Sequence, residues 1–220
     1  MITGGAGFVG SNLAVSLAGS HPDWEVLALD NLYRRGAELN LPRLEAAGVE
    51  FVRGDVREPE DLRSLPRIDA LVECSAEPSV MSGVDGDTSY LLHTNLTGAY
   101  NCLELARRDG AFFLFLSTSR VYPVAPQVAL RLEEAPTRFE IAAEQDVGGV
   151  SPAGISEDFP LGGARTLYGA TKLAAELLIE EYRESFGVPG AIDRCGVVAG
   201  PWQMGKVDQG VFTHWMLAHH

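Results

Sequence analysis

Residues 2–10 read Ile2-Thr3-Gly4-Gly5-Ala6-Gly7-Phe8-Val9-Gly10. Glycines at positions 4, 7 and 10 follow a short apolar stub. They precede a run in which Val9, Leu13 and Leu17 recur every four residues. That order is strand, tight turn, helix. Glycines in such a turn permit a sharp reversal, close approach of a pyrophosphate to the backbone, and close packing of helix on strand. The helix start then offers free N–H groups and the positive end of a dipole to an anion. Asp30 closes the next apolar run, Glu25-Val26-Leu27-Ala28-Leu29-Asp30, 20 residues after Gly10. A carboxylate at that spacing hydrogen-bonds an adenosine ribose and repels a 2′-phosphate, which favours NAD over NADP. Arg34 and Arg35 stand nearby, and arginines there also suit a 2′-phosphate.

Farther along, residues 50–55, 69–74 and 111–116 read as strands. The last is apolar throughout, as a parallel strand covered on both faces should be. Leu96, Ala99, Tyr100, Leu103 and Ala106 share one helical face, residues 167–186 form a second long helix, and Gly190–Cys195 opens another strand. Strands alternating with helices imply right-handed crossovers and a doubly wound α/β parallel sheet. Residues 123–163 carry several prolines and glycines with weak periodicity and read as a long loop, usually a functional feature in a compact domain. Only Met1–Thr3 precede the turn, where a strand has about five or six residues. Residues 213–220 read as a helix with no stop signal. On this pattern the chain is expected to be a fragment with a truncated first strand.

The 220 residues carry 17 Lys and Arg against 30 Asp and Glu, a formal net charge of −13. Such a chain lacks the basic face that a nucleic-acid backbone or an anionic membrane surface requires. No apolar run approaches the roughly 18 residues of a membrane span, and no signal-peptide pattern is present, so a cytoplasmic location is expected. Three scattered cysteines make neither a disulfide framework nor a Cys-x-x-Cys site. The five histidines show no ligand spacing, and no metal is expected.

Tyr168 and Lys172 stand four apart, one turn apart on one helix face. A free phenol ionises near pH 10, and a nearby ammonium lowers that value. The pair therefore suits removal of a sugar hydroxyl proton while hydride leaves the same carbon. Ser117, Thr118 and Ser119 end the apolar strand, on the ligand side of a doubly wound sheet. Any of them can hydrogen-bond the reacting oxygen. Asp55, after the third strand, is a candidate for the adenine edge.

The Thr3–Gly10 turn, Asp30-Asn31-Leu32, Gly54-Asp55-Val56, Ser117–Tyr122 and Tyr168–Lys172 together resemble the extended short-chain dehydrogenase/reductases, specifically the nucleotide-sugar epimerases and dehydratases. The resemblance covers nearly the whole chain. It implies a Rossmann-type NAD-binding domain over residues 1–198, with residues 199–220 opening a substrate-binding region whose remainder is absent. The family's catalytic hydroxyl stands four residues before the tyrosine of its strand-end motif, which singles out Thr118 beside Tyr168 and Lys172. Cofactor contacts are implied for Gly4, Gly7, Phe8, Val9, Asp30, Asn31, Arg35, Asp55, Val56, Ala76, Ser117, Tyr168, Lys172 and Cys195, although Cys195 also reads as a packing residue. Substrate contacts are implied for Ser79, Arg120, Lys206 and Gln209. Residues 31–40, 154–160 and 199–210 resemble the branch of the family that inverts CDP-linked 3,6-dideoxyhexoses at C2. The family's dehydratases carry an acid pair after the strand-end threonine; Ser119 and Arg120 stand there. Inversion at C4, a dehydratase, and a non-catalytic NAD-binding module or inactive fragment remain the alternatives, and homo-oligomerisation is left open.

Overall fold

The computed structural model describes residues 1–84, 86–205 and 210–219. Its strands are β1 (Ile2–Thr3), β2 (Leu27–Asp30), β3 (Glu50–Arg53), β4 (Ala70–Glu73) and β5 (Phe112–Thr118), then β6 (Leu132–Glu134), β7 (Phe139–Ile141), β8 (Val150–Ser151), β9 (Gly154–Ile155) and β10 (Gly190–Cys195). The helices are α1 (Phe8–Ser20), α2 (Leu41–Ala46), α3 (Pro59–Arg63) and α4 (Ser89–Leu92). A π-helical turn, His93–Thr97, joins α4 to α5 (Gly98–Asp109); α6 (Val124–Val128), α7 (Leu167–Phe186) and α8 (Val211–Ala218) follow.

Six strands form one parallel sheet in the order β3-β2-β1-β4-β5-β10. The order reverses at β1, so a crevice opens beyond the C-terminal ends of β1 and β4, where doubly wound sheets bind ligands. Two-residue β1 pairs on both sides, with Ala28 and Leu29 of β2 and with Val72 and Glu73 of β4. The ladder continues past its end, where the Met1 carbonyl accepts the Val72 N–H at 2.9 Å.

Apolar side chains bury on both faces of the sheet. On one, Leu103, Phe113, Phe115, Ala175 and Ile179 join α5 and α7 to the sheet. On the other, Ile2, Ala14, Ala28 and Leu44 join α1 and α2 to it. The second cluster covers β1 to β4 and stops short of β5. This corrects the expectation of a strand buried on both faces: Phe113 and Phe115 are fully buried, while Phe112 is 44% exposed. Tyr100 likewise lies outward, because the buried face of α5 is centred on Ala99, Cys102 and Ala106. The expected loop over 123–163 instead contains α6 and two small antiparallel hairpins, β6–β7 and β8–β9. Phe159 of this segment is buried edge-on against Tyr122.

α7 starts where Thr166 caps it, its side chain accepting the Gly169 N–H at 3.2 Å. It ends at Gly187, in the left-handed conformation that closes helices. Its buried stripe runs Tyr168, Thr171, Lys172, Ala175, Glu176, Ile179, the spacing of one helix face. Among the described residues no helix is long and apolar enough to cross a membrane.

Candidate active site

The crevice at the strand-order reversal is a cleft of about 720 Å³. The glycine turn makes its upper edge. Gly7 precedes α1 with no side-chain cap, so the first-turn N–H groups of Phe8, Val9 and Gly10 face the cleft with no partner inside the helix. A Cβ on Gly10 would stand 2.2 Å from the Gly4 carbonyl oxygen, so only glycine lets the helix approach the turn this closely. Asp30 braces the turn: its Oδ2 accepts the Ala6 N–H at 3.1 Å and its Oδ1 the Leu32 N–H at 2.8 Å. Burial pushes the Asp30 carboxyl up against these backbone bonds. Leu32 adopts φ 57°, an uncommon value for a side chain of its size, and the Asp30 bond holds it there.

These features fit a dinucleotide. The helix start and glycine cradle match a pyrophosphate, and each Asp30 oxygen keeps a second lone pair for a ribose hydroxyl. Asp55 accepts from Asn31 at 2.9 Å and from Arg57 at 2.6 Å. Burial would raise its carboxyl, but the bonds from Arg57 and Asn31 outweigh burial and hold it at about 2. Arg35, Val56, Ala76 and Cys195 line the same cleft, as do Gly4, Gly7 and Asn31.

The opposite wall is the C-terminal end of β5. Thr118 is buried, and its hydroxyl accepts the Arg120 N–H at 3.2 Å. Gly169 packs directly on the Arg120 carbonyl, where a Cβ would stand 2.1 Å from that oxygen. This close approach seats Tyr168 against Thr118, and the two side chains hydrogen-bond. Burial pushes the Tyr168 phenol up; the Thr118 bond and the Arg120 guanidinium pull it down, and the Glu73 carboxylate adds to the rise. Arg120 also lines the cleft.

Two expected roles look different in three dimensions. Lys172 does not line the cleft; it is 2% exposed, with Nζ 3.6 Å from Glu73 Oε2 and 3.8 Å from the centre of the Phe115 ring. Burial dominates at Tyr168, so the phenol is raised rather than lowered in this arrangement. Ser117 reaches the cleft wall, but its hydroxyl donates to Glu176, which Arg194 also grips at 2.7 Å. Of the three candidate hydroxyls, Thr118 is therefore the one that meets Tyr168, Ser119 lying in the turn after β5. Ser79 is buried beside the cleft, its N–H bonded to Glu77 at 3.1 Å. Lys206 and Gln209, the remaining expected substrate contacts, lie outside the described residues.

Sequence reasoning missed three groups. Glu73 is a carboxylate in an apolar strand, and that anomaly was visible. Glu176 stands four residues after Lys172, continuing the Tyr168–Lys172 stripe. Trp202, Met204 and Phe212 line the cleft near the glycine turn, through contacts far apart in sequence. The segment is held down by Arg43, which lies over the Trp202 ring at 4.2 Å, and by a bond from Asn12 to the Pro201 carbonyl at 3.1 Å.

Comparison with known proteins bears on the same features. A dTDP-glucose 4,6-dehydratase of Mycobacterium tuberculosis is 32% identical over 204 residues, covering 92% of this chain and 54% of that protein. A CDP-paratose 2-epimerase of Salmonella typhi is 30% identical over 216 residues, covering 96% and 60%. A crystal structure of a dTDP-glucose 4,6-dehydratase from Streptomyces venezuelae with NAD bound matches with a TM-score of 0.75 at 30% identity, over 99% of this chain and 62% of that one. The chain thus spans 54% and 60% of the length of these two curated relatives. The profile of one family, described as NAD dependent epimerase/dehydratase, runs over residues 1–220, from the glycine turn through the Tyr168 helix to the last residue. With sheet order, turn and sequence profile in agreement, the chain belongs to the NAD dependent epimerase/dehydratase family.

Proposed function

We propose that this site epimerises a nucleotide sugar with NAD, and that the substrate is a CDP-linked 3,6-dideoxyhexose inverted at C2, converting CDP-paratose to CDP-tyvelose. One observation carries the choice of epimerisation. Among the described residues lining the cleft, the carboxylates are Asp30 and Asp55, both at the β2–β3 end; the β5 end holds Thr118, Tyr168 and Arg120. Loss of water from a sugar needs an acid beside the departing hydroxyl. Ser119 and Arg120 follow Thr118, so the relatives that are dehydratases find no counterpart acid there. The likeness of residues 31–40, 154–160 and 199–210 to the C2-inverting branch supports the choice of sugar.

Inversion at C2 requires its C–H bond to break and re-form. A ketone at C4 is two bonds away and acidifies that proton little, so direct oxidation at C2 is the simpler route. Bound NAD would supply the chemistry, accepting the C2 hydrogen with its electron pair and giving it back. Tyr168, as phenolate, takes the C2 hydroxyl proton and later returns it. Thr118 hydrogen-bonds the same oxygen and holds it against the phenol. Lys172 supplies a positive charge one turn below. Arg120, on the cleft wall, is placed for the sugar or its phosphates. The keto sugar presents its other face between the two transfers, and no net redox results.

Incubation with NAD and CDP-paratose in deuterated water tests this. The expected product is CDP-tyvelose with protium retained at C2. Solvent deuterium at C2 would count against direct oxidation there. Turnover of UDP-hexoses with none of CDP-paratose would move the reaction to C4, and a 4-keto-6-deoxy product from dTDP-glucose would replace epimerisation by dehydration.

A further inference from the structure

The chain has two lysines in 220 residues, Lys172 and Lys206. One of them is among the most buried side chains of the molecule. Burying an ammonium is costly unless an opposite charge compensates. The compensation comes from β4: Glu73 is 1% exposed, and its Oε2 lies 3.6 Å from Lys172 Nζ. That is an ion-pair distance, and the other group drawing on the Glu73 carboxylate is the Ser75 backbone N–H. Lys172 is the one cation beside this carboxylate among the described residues. The Phe115 ring, 3.8 Å from Nζ, adds a cation–π contact on another side.

We propose that Glu73 is a positioning residue for Lys172: it anchors the ammonium in the core beneath the cleft, one helical turn from Tyr168. This deepens the proposed function, since it rests on Lys172 serving Tyr168. Every packed element is accounted for. β4 supplies Glu73 and the residue after it is Cys74; α7 supplies Tyr168, Lys172 and Glu176, α5 supplies Cys102, and β10 supplies Cys195. Burial lowers Lys172, and Glu73 is the largest force opposing it, with Cys74 and Glu176 adding to the same side. Burial in turn raises Glu73, and Lys172 opposes that rise. Burial pushes the Cys74 and Cys102 thiols up, which leaves the Glu73 carboxylate as the principal counter-charge.

The test is a titration of the two lysines by NMR with ¹³Cε-labelled lysine. With only two signals, Lys206→Arg assigns the Lys172 resonance. In Glu73→Gln, which fills nearly the same volume without the charge, the Lys172 midpoint should fall by about one pH unit or more. Glu73→Asp, which keeps the charge, should recover most of the difference. An unmoved midpoint in Glu73→Gln overturns the proposal, as does recovery of the wild-type midpoint by Gln equal to that by Asp. If Glu73→Gln does not fold, the double variant Glu73→Gln/Lys172→Met should fold, because the uncompensated buried charge is gone. Failure of the double variant as well would assign Glu73 to packing and overturn the proposal. In the NAD-loaded enzyme, the alkaline limb of kcat should move down with the midpoint while KM changes little. The titration needs no substrate, so loss of the epimerase reading would leave it standing, and its own failure would leave CDP-paratose turnover untouched.

Discussion

Tyr168 and Thr118 meet because two backbones meet. The phenol is buried and raised above its ordinary value, and its hydrogen bond to Thr118 aligns it with any oxygen placed between them. Removing only the hydroxyl, in Tyr168→Phe, should cut kcat by about 10²–10⁴-fold and leave NAD affinity within a few-fold, as read by steady-state kinetics and calorimetry. On the proposed reading, Asp30 carries the cofactor preference. Its carboxylate sits among Ala6 and Leu32 N–H groups with Arg34 and Arg35 on the same wall. Asp30→Asn removes the charge that repels a 2′-phosphate. The NADP-to-NAD affinity ratio should rise at least about tenfold, roughly 1.4 kcal/mol, in competitive binding. Asp55 gives a pH signature. Its folded-state value of about 2 lies below the ordinary carboxylate value near 3.9. The stability it contributes is complete above about pH 4 and is lost as pH falls toward 2. Urea midpoints should therefore decline more steeply in the wild type than in Asp55→Asn across that interval.

At the scale of elements, the site depends on two close approaches. α1 meets the glycine turn at Gly10, and α7 meets the post-β5 turn at Gly169. In both, the obstructing atom is a backbone carbonyl, which cannot swing aside as a side chain would. Gly10→Ala should cost about 2–3 kcal/mol of stability and weaken NAD binding as well, because the helix start carries the pyrophosphate cradle. Denaturant melts and a binding isotherm check both. Gly169→Ala should leave NAD binding nearly intact and lower kcat, since it displaces Tyr168 from Thr118. The contrast separates cradle from chemistry.

For the whole molecule, the cleft spans the sheet's two halves. β2 and β3 bring Asp30 and Asp55, and β5 and α7 bring Thr118 and Tyr168. NAD bound across the crevice stabilises the native state by mass action, about 2.7 kcal/mol at a hundred times its dissociation constant. Tm should therefore rise with NAD concentration, and native mass spectrometry should show a retained dinucleotide near one per chain. Retained NADP instead would contradict the role given to Asp30.

Local chemistry made much of this legible in advance. Glycine spacing, the carboxylate 20 residues on, and the helix carrying Tyr168 and Lys172 each follow from short-range geometry, and the matching elements lie within a residue or two of their expected limits. The 123–163 segment was not legible as structure, because hairpins of two or three residues per strand have no periodicity to read. The one-sided burial of β5 was hidden for another reason: composition reports that a strand is apolar, not how far the covering helices extend.

The amino-acid order by itself thus determined the doubly wound sheet, the dinucleotide turn, and the placing of Tyr168 and Lys172 one turn apart on one helix face. These rest on backbone conformation and on spacings of a few residues. Only the tertiary structure decided which charges face each other. Glu73 and Lys172 are 99 positions apart, as are no two residues of a local motif, and whether an ammonium points into a cleft or onto a buried carboxylate depends on desolvation. That quantity exists only once the helix has packed on the sheet.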